Sequence, residues 1–267
     1  MTSMRLFIML LSLGLLSACG GSSSSDRQDG DNTPRLAADP SGDWRGIQET
    51  AGGALRARRL ITDSDGVTFS QLGDDLAPVA PGLGVAADRV AVFEDDNGQA
   101  LLMLLDFDHD GALLVDDQLA VAVLSRQSSL LPLDPVDADA LNGDWQGMRL
   151  ARQPSGDALS LDPEHPWAAH TLHTARLECS ATDCVLSGSD MADLTLDISG
   201  QRLLPGLVEF SAAERVWDAV EAGADPAPGR TTLMLSADQR FLGGYHCPDR
   251  QAMDIDHCHL LALHRAP

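Results

Sequence analysis

The run of aspartates in "DFDHDGALLVDD" is the part of the chain whose residue types and spacing best suit metal chemistry. Asp106, Asp108 and Asp110 alternate, Gly111 takes the sixth position of the run, and Asp117 takes the twelfth. Carboxylates at alternate positions followed by glycine match the front of a calcium-binding loop. The twelfth residue is Asp where a bidentate Glu is usual, and the flanks have strand character. The spacing therefore leaves two interpretations open, a calcium site or an acidic hairpin turn.

A second group of candidate metal ligands lies near the end of the chain. His246, His257 and His259 lie close to Cys247 and Cys258. On a strand, His257 and His259 would share one face, where His246 could oppose them, so a zinc or copper site is one hypothesis. The alternative is solvated histidines beside a disulfide, because cysteines in an oxidising compartment pair with one another.

The residues that other chemistries need are missing. All 18 basic residues are arginine. The lack of lysine excludes a Schiff-base lysine, a Walker-type phosphate lysine and a Ser-x-x-Lys nucleophile. The chain also lacks Gly-x-Ser-x-Gly and His-Glu-x-x-His. The sequence therefore predicts a protein that is not an enzyme, and we assign no catalytic residue and no cofactor apart from the calcium alternative.

Four cysteines in the second half of the chain have the spacing of local disulfides. Cys179 and Cys184 flank the turn-forming segment "SATD", and Cys247 and Cys258 bracket a polar excursion. An even count of cysteines in an oxidising compartment predicts the pairs Cys179–Cys184 and Cys247–Cys258. Each pair would close a hairpin.

A repeated motif indicates an internal duplication. "SGDWRGIQET" contains Trp44, and "NGDWQGMRLA" contains Trp145. Four further segments recur in the same order: "VTFSQLG" with "LTLDISG", "PGLGVAADRV" with "PGLVEFSAAERV", "LMLLDFDHDGALL" with "LMLSADQRFLGG", and "LAVAVLSRQ" with "LLALHRAP". Their collinearity predicts two related modules, residues 41–127 and 142–267, joined by a linker over residues 128–141.

Within each module the pattern is that of short antiparallel strands. Alternating runs are separated by turn residues every 8–12 positions, and the Asn97-Gly98 pair is typical of a tight hairpin. The sequence therefore predicts an all-β fold of two tandem antiparallel barrels or closed sandwiches, which hide their sheet edges. One segment, near residues 211–222, favours a short helix instead, because Ser211 and Glu214 form a capping box before Val216 and Trp217.

The ends of each module resemble the calycin pattern of lipocalin-like and avidin-like barrels. That pattern has Gly-x-Trp on the first strand and an arginine at the end of the last strand. The resemblance implies that the tryptophan plugs one end of a barrel and that the arginine stacks on it. The implied pairs are Trp44 with Arg126 and Trp145 with Arg265.

The N-terminal segment predicts where the protein is located. Arg5 precedes the apolar run "LFIMLLSLGLL", which ends in "LSAC" at Cys19. This resembles the lipobox of bacterial lipoproteins, which implies a signal peptide over residues 1–18 and fatty acyl chains on Cys19. Because Gly20 follows the cysteine, the resemblance implies transfer to the outer membrane. Residues 19–40 are polar and predict a flexible tether.

Charge narrows the choice of partners. The chain has 40 acidic against 18 basic residues, which disfavours nucleic acid and anionic lipid as direct partners. We therefore expect a membrane-anchored, non-enzymatic envelope lipoprotein whose modules bind a small ligand or an envelope protein. The alternatives are a purely structural assembly role and, as the least favoured, a metal-dependent enzyme.

Overall fold

The structure is a computed structural model of the chain, and it describes residues 42–266 except for several internal positions. Those positions are 64–65, 71–76, 82, 88, 95–99, 107–109, 127–137, 155, 160, 181, 203–215, 224–228 and 237. The described residues form strands and one 3-10 turn, Ala138–Leu141, and contain no α-helix. The prediction of an all-β fold is therefore confirmed.

Nine strands make the first antiparallel sheet. They are β1 (Gly42–Glu49), β2 (Leu55–Asp63), β3 (Gly66–Ser70), β4 (Ala77–Pro81), β5 (Leu83–Ala87), β6 (Val90–Glu94), β7 (Ala100–Leu105), β8 (Gly111–Asp116) and β9 (Val121–Arg126). Their order is β4-β3-β2-β1-β9-β8-β7-β6-β5. The first strand of the module therefore lies beside the last.

The second sheet contains the remaining nine strands. They are β10 (Gly143–Ala151), β11 (Asp157–Ala158), β12 (Thr171–Cys179), β13 (Asp183–Gly188), β14 (Met191–Arg202), β15 (Val216–Glu221), β16 (Arg230–Leu235), β17 (Phe241–Cys247) and β18 (His259–Arg265). The order is β10-β18-β17-β16-β15-β14-β13-β12-β11, and β10 also pairs with β12. This extra pairing closes an eight-stranded barrel, with the two-residue β11 outside the ring.

The two sheets share one strand order. In the first sheet the edge strands β4 and β5 have only residue 82 between them in the sequence. In the second sheet the long strand β14 takes that place, because it pairs with β13 and with β15. With β4 and β5 counted together, both modules have eight antiparallel strands in the same sequence. The architecture of two tandem β modules is therefore present.

The strand positions show which of the repeated segments are equivalent in the two modules. The segments that carry Trp44 and Trp145 lie on β1 and β10, and those that end near Arg126 and Arg265 lie on β9 and β18. The two hairpins whose first strands contain the "LML" triplets, β7–β8 and β16–β17, also correspond. "VTFSQLG" begins on β3, whereas "LTLDISG" lies on β14, which corresponds to β4. That match of two segments is wrong by one strand.

The helix expected near residues 211–222 is also wrong where the structure describes it. Val216–Glu221 is a strand, β15, paired with β14 and β16, and residues 211–215 lie outside the described residues. Trp217 and Ala219 are buried inside the barrel. Burial between two neighbouring strands overrides the local capping signal.

One hydrophobic core joins the two modules. Leu113 and Val123 of the first sheet belong to the same buried cluster as Phe241 and Ala262 on the outer face of the second barrel. At Gly243 a Cβ would lie 2.5 Å from Val123 Cγ2 and 2.8 Å from Leu113 Cδ1, so a larger residue here would displace these side chains. The modules therefore pack directly against each other.

A buried polar contact crosses the same interface. Glu49 is 2% exposed, and its carboxylate accepts hydrogen bonds from Arg230 Nη2 at 2.8 Å and Tyr245 Oη at 3.1 Å. Burial, together with the negative charge of Glu49, raises the pKa of Tyr245 to about 12. Beside these groups is a cavity of about 20 Å³, enough for one water molecule.

In the part of the chain that the structure describes, no helix is long and apolar enough to cross a bilayer.

Candidate ligand-binding site in the second barrel

Each module contains a buried tryptophan with an arginine stacked on its ring. Trp44 and Trp145 are both 0% exposed. The guanidinium carbon of Arg126 lies 4.6 Å from the Trp44 ring centroid, and that of Arg265 lies 4.6 Å from the Trp145 centroid. The structure therefore brings together both pairs that the calycin resemblance implied. Such a stack contributes about 0.5–2 kcal/mol.

Both predicted disulfides are present, and they lie at opposite ends of the second barrel. Cys179–Cys184 joins β12 to β13 at the end that holds Trp145. Cys247–Cys258 joins the end of β17 to the residue before β18, at the other end. The second disulfide therefore fixes the strand ends farthest from the tryptophan.

Polar and charged residues collect at that far end, on the inner face of the barrel. Cross-strand partners share a face of a sheet. Trp145 lies on the inner face, and four positions along β10 Arg149 faces His173. On the neighbouring strands, His246 faces His259. The polar end, as we define it, consists of Arg149, His173, Asp190, Glu221, Thr231, His246 and His259.

Arg149 lies at the centre of the polar end. Its side chain is 0% exposed, and Nη2 donates to Asp190 Oδ1 at 2.5 Å. Nη1 lies 3.2 Å from His259 Nδ1. Among the described residues, Arg149 Nε has no hydrogen-bond partner. A buried N–H without a partner costs about 1–3 kcal/mol, so this donor requires an explanation.

Asp190 also holds His173. The carboxylate Oδ2 lies 3.0 Å from His173 Nδ1, and His173 Nε2 lies 2.8 Å from Thr171 Oγ1. This hydroxyl–imidazole–carboxylate chain has the spacing of a nucleophile with its base. A Cβ at Gly156 would lie 2.5 Å from His173 Cε1 and 2.9 Å from Thr171 Cβ, so Gly156 covers the chain. We therefore interpret it as structural, because Thr171 is buried and has no room for an attacked substrate.

The other two imidazoles form a pair beside the disulfide. The ring centroids of His246 and His259 are 5.8 Å apart. His246 Nδ1 lies 2.8 Å from Thr231 Oγ1, and His246 Nε2 lies 3.8 Å from Glu221 Oε1. The pair is one residue from Cys247 and Cys258 on each strand, so the disulfide fixes its spacing.

Burial keeps these imidazoles neutral at pH 7. Burial, followed by the charge of Arg149, lowers the pKa of His246 to about 4 and the pKa of His259 to about 4. Burial also lowers the pKa of His173, although Asp190 opposes this. Burial acts to raise the pKa of Asp190, but the hydrogen bond and charge of Arg149 lower it overall. The polar end thus holds the Arg149–Asp190 ion pair and three neutral rings, with the Glu221 carboxylate 3.8 Å from His246.

Two long loops are joined to each other next to the polar end. The segment between β10 and β12 contacts it through Gln153, whose side chain lies 3.4 Å from Arg149 Nη2. The segment between β17 and β18 is bonded to the first loop: Arg152 pairs with Asp256 at 2.6 Å, and His170 Nε2 lies 2.8 Å from the Ile255 carbonyl oxygen. These contacts hold the two loops together.

The residues of the calcium hypothesis are separated. Asp106 and Asp110 lie near each other, since the Asp110 amide donates to Asp106 Oδ1 at 3.0 Å. Asp117 follows the other end of β8, and Asp108 lies outside the described residues. A strand rises about 3.3 Å per residue, so the length of β8 keeps Asp117 from the other carboxylates. The loop with Asp117 as twelfth ligand is therefore corrected. Of the two interpretations, the acidic hairpin turn matches β7–β8.

The histidine hypothesis is correct in part about position. His246 and His259 meet, as the sequence suggested, but β18 begins at His259, so His257 lies before the strand. His257 is exposed and contacts Asp254 at 2.6 Å. Within the described residues, no three His, Cys, Asp or Glu side chains are grouped to hold a metal ion. The zinc or copper site stays a hypothesis without a ligand set.

Arg149 and Asp190 were missed by the sequence analysis. Arg149 is four residues after Trp145, and an even spacing on a strand puts both on the inner face. That signal was available for Arg149. Asp190 lies in a turn between β13 and β14, so only the closure of the barrel brings it to Arg149.

A groove of about 680 Å³ crosses the outer surface of the same barrel. Gln146, Thr174, Arg176, Ser187 and His264 line it with other residues of β10, β12, β13 and β18. Arg176 is held by Asp144 at 2.7 Å. The groove is open to solvent and contains no unpartnered buried donor, among the described residues, like that of Arg149.

Comparison with known proteins adds little. No family model and no curated protein matches the chain. A solved structure from Nostoc punctiforme PCC 73102, a protein with unknown function from the DUF3598 family, is 12% identical to it. The likeness covers 85% of this chain and 96% of the other, with a TM-score of 0.39. At that TM-score the likeness supports no argument about function.

Proposed function

We propose that this chain is a lipid-anchored, non-enzymatic binding protein of the bacterial outer membrane, whose second barrel holds a small ligand at the polar end. The observation that carries the binding role is the buried Arg149 Nε without a partner, set among three neutral imidazoles. Perturbed titratable groups in a cleft are typical of functional sites. The Thr171 hydroxyl is covered by Gly156, which supports binding without covalent chemistry.

The proposed anchor rests on "LSAC" and on the polar residues behind it. Two acyl signals hold a protein on a membrane far more firmly than one. Replacing the acylated residue, Cys19→Ala, should move the protein from the membrane fraction to the soluble fraction of cells. A matched change, Ser17→Ala, should leave it with the membranes. Continued membrane fractionation of Cys19→Ala would refute the anchor.

The ligand-binding role is tested by thermal unfolding of the full chain in detergent. The probes are acetate, glucose and a medium-chain fatty acid, each added at millimolar concentration. We expect at least one probe to raise the unfolding temperature, because a ligand that binds only the folded state stabilises it. His173→Gln should abolish this rise. Arg56→Gln, which changes the corresponding position of the first module, should preserve it.

An unchanged unfolding temperature with all three probes would contradict the binding role. In that case a purely structural or accessory role in the envelope would be the better interpretation, because barrels filled by their own side chains hold no ligand. A rise that is equal in wild type and His173→Gln would place the ligand outside the polar end.

A further inference from the structure

The hydrogen bonds at the polar end determine which ring nitrogens carry protons. An arginine N–H only donates, so His259 Nδ1 must accept from Arg149 Nη1. A neutral His259 therefore carries its proton on Nε2. Likewise Asp190 only accepts, so His173 carries its proton on Nδ1. The tautomers of two of the three rings thus follow from their partners.

Two donors remain without acceptors. Among the described residues, neither Arg149 Nε–H nor His259 Nε2–H has a hydrogen-bond partner. Both belong to the polar end, and Arg149 is fully buried there. His246 Nε2 lies 3.8 Å from Glu221, too far for a hydrogen bond. The site therefore offers donors, and a complementary ligand presents acceptor atoms.

Small residues lie between the polar end and the tryptophan. On the inner face Gly147 separates Trp145 from Arg149, and Gly244 separates Leu242 from His246. Ala175 on β12 faces Gly147, and Ala219 on β15 faces Thr231. A Cβ at Gly147 would lie 2.2 Å from the Ala262 carbonyl oxygen, and one at Gly244 would lie 2.0 Å from the Thr232 carbonyl oxygen, so the strands pack closely here. A ligand beside Arg149 can therefore have only a few atoms.

We infer that the ligand is a small carboxylate or another small oxyanion that accepts hydrogen bonds from Arg149 Nε and His259 Nε2 and binds together with one proton. This rests on the proposed binding role. The proton is required by charge: Asp190 already neutralises Arg149, and Glu221 adds a negative charge beside His246. An anion in this site must therefore be compensated by protonation of the His246–His259 pair.

Among the described residues around the pair, Asp190 favours protonation of His259, and Arg149 opposes protonation of both rings. His259 faces Arg149, His173 and Asp190 from β10, β12 and the β13–β14 turn. His246 faces Arg149 and Glu221 from β10 and β15. Without a ligand, burial and Arg149 keep both rings neutral. An anion in contact with His259 Nε2 stabilises the charged imidazolium, so binding and proton uptake are linked.

The test is calorimetric titration of the full chain in detergent with acetate and with acetamide, its neutral isostere. We expect acetate to bind at least tenfold more tightly than acetamide. Titrations in two buffers of different ionisation enthalpy should show uptake of up to one proton. The acetate affinity should rise as the pH falls from 7.5 to 5.5, by at most about tenfold per pH unit for one linked proton.

Two variants locate the effect. Arg149→Gln, which gives this position the residue of the first module, and His259→Gln should each weaken acetate binding tenfold or more. Arg240→Gln, at an exposed position on the β16–β17 turn, should bind like wild type. Thermal unfolding identifies any variant that does not fold. If Arg149→Gln is such a variant, the folded His259→Gln protein decides the outcome.

The results separate the inference from the proposed function. Equal affinity for acetate and acetamide, or stabilisation by glucose or fatty acid without any response to acetate, would overturn the oxyanion inference and leave the binding role standing. Acetate binding without proton uptake would also overturn the inference. Failure of every probe would overturn both. Unchanged acetate binding in folded His259→Gln would show that acetate binds elsewhere on the surface.

Discussion

The two modules have the same scaffold but differ at the end farthest from the tryptophan. Strand register gives the equivalent positions. Gln48, Arg56, Asp116 and Ala120 of the first module correspond to Arg149, His173, His246 and His259 of the second. In the first module Arg58 bonds to Gln48, and burial raises the pKa of Asp116. Only the second module combines a buried arginine with paired imidazoles at this end, in the part of the chain that the structure describes.

The loops at this end differ in the same way. In the first module residues 50–54 join β1 to β2, and residues 117–120 join β8 to β9. In the second module residues 152–170 and 248–258 make the corresponding connections, and a disulfide closes the latter. Loops carried by a rigid scaffold are where binding residues concentrate. The comparison shows that the first module has short connections at this end, whereas the second module has long loops, a disulfide and the polar end.

The largest expected effect on stability comes from the buried tryptophan that both modules contain. Trp44→Ala and Trp145→Ala should each lower the free energy of unfolding by about 3–5 kcal/mol, because each removes a fully buried indole. Urea unfolding followed by circular dichroism measures both losses. A loss below about 1 kcal/mol for only one variant would show that the two tryptophans do not have the same role.

The pH dependence of stability tests the difference between the polar ends. The folded-state pKa of His246 and of His259 is about 4, below the value of 6.5 expected for an unfolded chain. Between pH 4 and pH 6.5 the unfolded chain therefore binds more protons than the folded protein does. The contribution of these histidines to the free energy of unfolding should be complete above pH 6.5 and should be lost as the pH falls towards 4. The loss is at most about 1.4 kcal/mol per pH unit for each histidine.

The matched control is the double variant His246→Gln and His259→Gln, measured by urea unfolding at pH 7 and pH 5. Its stability should change less between the two pH values than that of wild type. An identical change in both proteins would mean that the fall has another origin, such as carboxylates elsewhere in this acidic chain.

The two disulfides should separate stability from binding. The double changes Cys179→Ser with Cys184→Ser and Cys247→Ser with Cys258→Ser should each cost about 2–3 kcal/mol, because both close short loops. Only the second pair lies beside His246 and His259, so only its loss should weaken ligand binding. Acetate titration of both double variants checks this, and equal weakening in the two would remove the link between that disulfide and the site.

The smallest expected effect concerns the contact between the modules. Glu49→Gln keeps an acceptor for Tyr245 but removes the charge that Arg230 contacts, so it should cost about 1–1.5 kcal/mol. Glu178→Gln removes an exposed partner of Arg176 and should cost less than about 0.5 kcal/mol. Urea unfolding compares them. Equal costs would mean that the buried contact adds no stability between the modules.

Features that depend on short-range spacing could be predicted. Cys179 and Cys184 are five residues apart and pair across one hairpin. The pairing of Trp145 with Arg265 had a different basis, since the calycin resemblance implied it by placing them on the first and last strands of a module. The error at Val216–Glu221 had a local cause as well, since a capping box precedes apolar residues there. Pairing with β14 and β16 stabilises the strand, and that pairing has no local signal.

The candidate site was largely beyond prediction. The spacing from Asp106 to Asp117 matched a calcium loop in the sequence, but strand β8 lies between Asp110 and Asp117 and separates them. Arg149, Asp190 and His259 come from three distant parts of the chain, and the ion pair and hydrogen bond that join them exist only after the barrel closes. Sequence spacing carries no information about such contacts.

By itself the sequence determined the all-β class, the doubled module and the disulfide pairs, because strand alternation and hairpin closure depend on neighbouring residues. Only the tertiary structure decided that an arginine, two carboxylates and three histidines share one end of the second barrel. The physical reason is the closure of the barrel. Because β10 pairs with both β12 and β18, the strands enclose an interior, and burial in that interior determines which side chains are protonated.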